Sequence, residues 1–178
     1  MEQTDYAKAY LEASHGHLTA EDLEGTPMVD LHTGLFSTPF FFKRLGEEIL
    51  RAERYRHFLS VILIHADARL PNNTRKAAAE LRRIGKGLTG ILSRRTDFQA
   101  LFGRKQIAVL LPETDKGGAA SVLERFHVQL EGGNAKLTYA TLSFPEDASN
   151  LKILYRHLEN LSEALIRGVG EDSLPHKE

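Results

Sequence analysis

Histidines are the first residues of this chain that could do chemistry, because the sequence has eight of them and no cysteine. Without cysteine there is no thiolate to bind zinc, no cysteine nucleophile and no disulfide. Metal-binding histidines often recur at a short helical spacing such as His-x3-His, and none of the eight has that spacing. His15-Gly-His17 is more typical of a solvated turn. The sequence therefore predicts no metal centre built from these side chains.

Two other kinds of catalytic site are also not indicated. Gly117-Gly118 has no Lys-Ser or Lys-Thr after it, so this glycine pair is not a phosphate-binding P-loop. No spacing of serine, histidine and aspartate suggests a hydrolase triad. Positive charge is concentrated in one segment of the sequence. Residues 69–95 hold eight basic residues and one acidic residue, in a chain whose net charge is −1. A segregated field of this kind favours an anionic ligand.

Length and hydrophobic patterning limit the protein class. A chain of 178 residues suits one domain that buries about 70% of its unfolded surface. Its longest apolar run, Phe58 to Ala66, is far shorter than the ~20 residues of a membrane-spanning helix. The N-terminal residues include no apolar stretch typical of a secretory signal. We therefore expect a cytoplasmic protein without a membrane segment.

The pattern along the chain predicts three zones. Residues 1–27 are polar with a short helical pattern and are interpreted as a helical lead-in or linker. Residues 28–168 carry the strong periodicity of a domain, and residues 169–178 are predicted to be a disordered tail. The elements predicted within the domain are a helix beginning at Thr38-Pro39, a strand over 59–66, a helix over 74–95, strands over 97–102 and 106–111, a helix over 115–131, a strand over 136–144 and a helix over 150–167. That order predicts an α+β fold whose sheet has an antiparallel hairpin at its centre.

Several motifs in this domain resemble those of GGDEF domains, the diguanylate cyclase family. Asp30-Leu-His-Thr-Gly-Leu35 resembles the family's DxLTGL opening, and the run from Leu101 to Thr114 resembles its signature hairpin with the LPET that follows. The run from Thr138 to Asp147 resembles the strand written SIGVATFPED. These motifs keep their order and spacing over about residues 28–168. The resemblance implies a nucleotidyl-cyclase-like fold, with a central, mostly antiparallel sheet of about five strands flanked by helices.

The same resemblance implies that the catalytic groups are degenerate. The family condenses two GTP into cyclic di-GMP with two divalent metals, which hard carboxylates must hold. The resemblance puts the family's carboxylates at His65, Lys105 and Gln106, none of which is acidic. Arg104 stands where the family has a second glycine that lets the backbone approach phosphate. Asn73 keeps the spacing of a guanine-binding Asn, and Val169 stands where a lysine would contact phosphate. We therefore expect no Mg²⁺ cofactor, no metal site and no cyclase activity. An alternative is that Arg104 and Lys105 bind GTP phosphates without metal.

One ligand site of the family is retained by resemblance. Family members often bind their product at an RxxD motif, and Arg94-Arg95-Thr96-Asp97 stands at the family's own distance before Gly103. An arginine fork matches the O6 and N7 acceptors of guanine, and a carboxylate suits its N1–H and N2–H donors. Arg125 matches a further arginine of the family's site, and Arg95 is expected to contact phosphate. The alternative without a ligand is an ordinary surface ion pair between Arg94 and Asp97.

These observations favour a catalytically inactive GGDEF domain that acts as a cyclic di-GMP receptor and relays the signal to an unknown protein partner. The sequence also allows a homodimer. A ligand-free dimerisation or protein-interaction module with the same fold is the alternative. Nucleic acid is not expected as a partner, since the basic stretch lacks interleaved aromatics and any known reading motif.

Overall fold

Eight helices and strands follow one another in the predicted order. The computed structural model describes residues 27–66, 74–92, 94–103, 105–130 and 136–168. The predicted lead-in, apart from Pro27, and the predicted tail lie outside these residues. The elements are α1 (Thr38–Tyr55), β1 (Leu59–Ala66), α2 (Thr74–Ile91), β2 (Phe98–Leu101), β3 (Gln106–Pro112), α3 (Lys116–Leu130), β4 (Leu137–Phe144) and α4 (Leu151–Ile166). The predicted α+β class is confirmed.

The strands form one antiparallel sheet in the order β2-β3-β1-β4. The described residues therefore contain four strands, where about five were expected. The prediction of a hairpin at the centre of the sheet was wrong in part. β1 pairs with both β3 and β4, so β3 is central while its hairpin partner β2 lies at the edge. An edge strand has side chains that can border a surface groove, and β2 directly follows the Arg94–Asp97 segment.

Helices cover both faces of the sheet, and this explains the apolar run of β1. All eight residues of β1 are buried. Alternate side chains of a strand point to opposite faces, so the strand supplies two cores at once. Leu59, Val61 and Leu63 pack with residues of α1 and α4, whereas Ile62, Ile64 and Ala66 pack with residues of α2 and α3. A strand buried on both faces has a nearly continuous apolar sequence rather than an alternating one.

α1 begins where the sequence predicted. The Ser37 side chain accepts a hydrogen bond from the Phe40 amide at 3.4 Å, and Pro39 lies in the first turn, where a missing N–H costs nothing. Phe41 and Phe42 are buried in the core beneath this helix, as expected for their spacing. Phe40 is only partly buried and packs at the margin.

α2 continues through Gly85, Gly87 and Gly90. Glycine is a poor helix former, so these residues weakened the prediction of a helix from the sequence. Gly85 lies so close to Leu35 that an added Cβ would stand 2.7 Å from the Leu35 Cδ2 atom. The glycine therefore allows the segment before α1 to pack against α2. The helix ends at Ile91 rather than at residue 95, so the Arg94–Asp97 segment belongs to a turn.

The Asp30–Leu35 motif forms a compact turn. The Asp30 carboxylate accepts hydrogen bonds from the Thr33 amide and the Thr33 hydroxyl, both at 2.7 Å. Gly34 has φ +74°, a conformation that favours glycine. This turn delivers Phe36 to the edge of the sheet, where its carbonyl accepts from the Leu101 amide at 2.8 Å. The opening motif therefore positions one wall of the surface beside β2.

Candidate ligand-binding site

A backbone turn holds Arg94 and Asp97 side by side. The Asp97 amide donates to the Arg94 carbonyl at 3.2 Å, and the Arg94 amide donates to the Asp97 Oδ2 atom at 3.3 Å. We expected the three-residue spacing to place both side chains on one side of a helix end. The helix has already ended at Ile91, and reciprocal hydrogen bonds across the turn produce the proximity instead.

The Arg94 guanidinium forms no ion pair with the Asp97 carboxylate in the described part of the chain. Its guanidinium is exposed and donates from Nη1 to the Thr114 Oγ1 atom at 3.5 Å, a long contact. Arg95 is exposed beside it. The contacts between Arg94 and Asp97 involve the backbone of Arg94, so its guanidinium fork remains available for a planar acceptor. This geometry differs from the ordinary surface ion pair between Arg94 and Asp97 that was the alternative to ligand binding.

Arg125 reaches the same turn from α3. Its Nη1 atom donates to the Ile91 carbonyl at the end of α2, at 3.5 Å, while its Nε atom donates to Ser121 of its own helix at 3.4 Å. Its charge acts on Asp97. The structure thus brings together Arg94, Arg95, Asp97 and Arg125, the four residues predicted to form one site.

Asp97 has an unusual environment for a carboxylate. Its Oδ1 atom is buried and accepts no hydrogen bond from the residues that the structure describes. Burial raises the pKa of the Asp97 carboxyl, while the hydrogen bond from the Arg94 backbone and the charges of Arg94 and Arg125 oppose that rise. An unpartnered buried acceptor costs about 1–3 kcal/mol of stability. The site therefore carries an acceptor that a ligand with N–H donors would satisfy.

These residues border a groove of about 340 Å³ between the end of α2 and the edge strand β2. Its floor includes the rings of Phe36 and Phe98, which stack with centroids 4.6 Å apart and planes 15° apart. The residues that line it are Phe36, Thr89, Leu92, Arg94, Arg95, Asp97, Phe98 and Gln99. A groove with cations at its rim and aromatic rings at its floor suits a flat anionic ligand such as a nucleotide.

Sequence reasoning missed five of the eight residues that line this groove: Phe36, Thr89, Leu92, Phe98 and Gln99. Phe36 follows the opening motif and is distant in sequence from β2. Thr89 lies on α2, ten residues before Gln99. The alternation of β2 offered one signal, since a polar Gln99 between Phe98 and Ala100 faces the same side of the strand as Asp97.

The residues that the sequence argument assigned to the catalytic positions lie near the end of β1 and in the hairpin between β2 and β3. They are His65, Lys105 and Gln106. His65 is buried, and its neighbours across the sheet are Gln106 and Thr138. Gln106 is 2% exposed and is tied to α4: its Nε2 atom donates to the Ser162 carbonyl at 3.0 Å, and its Oε1 atom accepts from the Ser162 hydroxyl at 2.6 Å. Lys105 is half-buried in the turn, with its carbonyl accepting from the Ala66 amide at 3.0 Å.

This set of donors does not fit the Mg²⁺ ions that diguanylate cyclases require. His65, Gln106 and Lys105 offer an imidazole, an amide and an ammonium group, whereas a hard cation needs carboxylate oxygens. No group of three or more histidine or acidic side chains able to hold a metal occurs among the described residues. Arg104, Asn73 and Val169, which also entered the sequence argument, lie outside the described residues.

Comparison with known proteins places the fold. No protein-family model and no curated protein matches the sequence. The GGDEF domain of FimX from Pseudomonas aeruginosa superimposes with a TM-score of 0.70 at 16% identity, covering 82% of this chain and 97% of that one.

Two further structures agree. The GGDEF domain of DgcB from Caulobacter crescentus, in complex with c-di-GMP, has a TM-score of 0.65 at 15% identity and covers 79% of this chain and 91% of its own. A DGC protein from Thermotoga maritima has a TM-score of 0.62 at 21% identity, covering 76% and 98%. The predicted GGDEF fold is therefore confirmed. Within the part of the chain that the structure describes, no helix is long and apolar enough to cross a membrane.

Proposed function

We propose that this chain, which has the fold of GGDEF domains, is a cyclic di-GMP receptor without cyclase activity. Cyclic di-GMP would bind in the groove beside β2, with the Arg94 fork on guanine O6 and N7 and the Asp97 carboxylate on its N–H donors. Arg125 and Arg95 would neutralise the phosphates. The observation that carries the proposal is the turn that holds the Arg94 guanidinium and the Asp97 carboxylate side by side without an ion pair between them, with the charge of Arg125 acting on Asp97.

The lack of cyclase activity is proposed from the chemistry of the replaced groups. A cyclase must hold two divalent cations against a triphosphate. In this chain His65 and Gln106 are buried, and both polar groups of the Gln106 amide are engaged with Ser162. A receptor needs none of this machinery. It needs only the groove and an element that reports occupancy to a partner protein.

Calorimetry with cyclic di-GMP on the wild type and on Arg94→Ala tests the proposal. We expect the wild type to bind and the variant to bind at least roughly tenfold more weakly, because a charge-assisted hydrogen bond to a fork contributes about 1.5–3 kcal/mol. Arg156→Ala is the matched control, since it removes an exposed arginine from α4 on the other face of the sheet. Absence of wild-type binding at tens of micromolar ligand would overturn the proposal.

A second candidate function is a ligand-free interaction module. It is favoured by exposed apolar side chains just before α1: Met28, Val29 and Leu31 are 55%, 37% and 86% exposed. Apolar residues exposed together can mark a contact surface. Size measurements on the wild type and on Leu31→Ser, with and without cyclic di-GMP, separate the two functions. A dimer that forms without ligand and is lost in Leu31→Ser would favour the module.

A further inference from the structure

Three phenylalanine rings lie together at the floor of the groove. Phe36 stacks on Phe98 with centroids 4.6 Å apart and planes 15° apart, and Phe40 is tilted against both, at 5.2 Å from Phe36 and 5.6 Å from Phe98. The three centroids thus form a nearly equilateral triangle. Phe40 therefore cannot lie over the face of the Phe36 ring opposite Phe98, and neither ring covers that face.

Phe36 is the ring of the three that is both partly exposed and in the groove. Phe98 is 8% exposed and belongs to the core beneath α1, whereas Phe36 and Phe40 are only partly buried. The described residues that line the groove include Phe36 but not Phe40, and they also include Arg94 and Asp97. The groove therefore offers a ligand an accessible aromatic surface near the Arg94–Asp97 turn.

The backbone and the core hold Phe36 in this position. Its carbonyl accepts a hydrogen bond from the Leu101 amide of β2 at 2.8 Å, and the amide of Ser37, which follows it, donates to the Met28 carbonyl at 2.9 Å. The buried Phe98 ring lies behind the Phe36 ring, so Phe36 has no room to withdraw into the core. A surface that is fixed before binding loses little conformational freedom when a ligand arrives.

We infer that Phe36 is a base-stacking residue of the groove, and that one guanine of cyclic di-GMP lies flat on the face of its ring opposite Phe98. This inference rests on the proposed function and extends it to a residue outside the Arg94–Asp97 motif. The hydrogen bonds of Arg94 and Asp97 recognise only the edges of a base and leave its faces to water. Stacking on an aromatic ring removes one face from water and is open to every base, since every base has a π-face. Phe36 then supplies affinity for a base, and Arg94 and Asp97 supply the choice of guanine.

The experiment is calorimetry with cyclic di-GMP on the wild type, Phe36→Leu, Phe36→Tyr and Phe40→Leu. Phe36→Leu should weaken binding at least roughly fivefold, the lower end of what one base stacked on an aromatic ring contributes, whereas Phe36→Tyr keeps the ring and should bind within about twofold of the wild type. Phe40→Leu is the matched control and should bind like the wild type, because it removes a ring from the same cluster but not from the lining of the groove. Equal losses in Phe36→Leu and Phe40→Leu would show that the cluster acts through packing alone and would overturn the inference.

Phe36→Trp gives a second measurement, which does not depend on whether Phe36→Leu folds. The chain has no tryptophan, so this variant contains a single indole fluorophore, placed at the groove. A guanine stacked on it should quench its emission when cyclic di-GMP saturates the protein. Unchanged emission at saturation, or wild-type affinity in a folded Phe36→Leu variant, overturns the role of Phe36 and leaves the receptor proposal intact. A wild type that does not bind cyclic di-GMP overturns the receptor proposal, and the role of Phe36 with it.

Discussion

At the scale of single residues, the candidate site combines exposed arginines with a carboxylate that has one buried oxygen atom. The arginines that were identified from sequence lie at the rim and are exposed. Beside them, Asp97 carries a buried oxygen that accepts no hydrogen bond within the described part of the chain. Such groups lower the stability of a fold unless they serve another purpose. We interpret Asp97 as a binding group on that physical ground.

The ionisation of Asp97 makes a residue-scale prediction about pH. Because burial raises the pKa of this carboxyl, its proton is bound more tightly in the folded protein than in the unfolded chain. Its contribution to folding stability is therefore lost as the pH rises through the folded pKa. Ligand affinity should depend on pH in the opposite direction, because only the ionised Asp97 carboxylate can accept hydrogen bonds from two N–H donors. Affinity for cyclic di-GMP should be flat near neutral pH and fall as the solution is acidified towards that raised pKa.

Asp97→Asn separates binding from stability. We expect its free energy of unfolding at neutral pH to equal or slightly exceed that of the wild type, while ligand binding is lost. Urea unfolding and calorimetry at pH 7 measure the two effects. Glu163→Gln, on exposed α4 surface, makes the same charge change away from the groove. A clearly destabilised variant that still bound ligand would show that Asp97 is structural.

At the scale of elements, the groove is assembled by three segments that meet at the edge of the sheet. The turn before α1 supplies Phe36, and the end of α2 supplies Thr89. The strand β2 supplies Phe98 and Gln99, which follow Asp97 in the sequence. The other end of the sheet is closed in a different way. There Gln106 of β3 and Ser162 of α4 exchange hydrogen bonds in the buried interior. The position where cyclases carry a carboxylate has thus become a tie between a strand and a helix.

Gln106→Glu tests that tie. The change removes the donor to the Ser162 carbonyl and places an acid at a position 2% exposed, so we expect destabilisation of more than about 2 kcal/mol at neutral pH. The loss should increase as the pH rises, because a buried carboxyl resists ionisation. Urea unfolding between pH 5 and 8 measures it. Ser162→Ala, which removes one hydroxyl, should cost less, and a Gln106→Glu variant as stable as the wild type would contradict the buried tie.

At the scale of the whole molecule, the distribution of charge matters more than its sum. The net charge of −1 gives no expectation of attraction for an anion. Arg94 and Arg95 nevertheless border one groove, and the charge of Arg125 on α3 acts on Asp97 of the same groove. Local clusters of like charge attract an oppositely charged ligand even on a neutral protein.

This arrangement predicts salt-dependent binding. Since the three arginines are exposed, mobile ions screen their attraction for a dinucleotide. The dissociation constant for cyclic di-GMP should rise several-fold between low and high sodium chloride. Calorimetry across a salt series measures the rise, and the slope should be smaller in Arg125→Ala. A dissociation constant independent of salt would argue against phosphate contacts by these arginines.

The sequence by itself determined the order of the elements and the chemistry of the site. The apolar run of β1, the helix start at Thr38-Pro39 and the motif at Arg94–Asp97 are all local patterns, and local patterns can be read from a linear chain. Tertiary structure alone decided that β2 lies at the edge of the sheet. It also decided that Phe36, Thr89 and Gln99 share a groove with Asp97. The physical reason is that partners far apart in sequence, and the hydrogen bonds left unmade between them, exist only after the chain has packed.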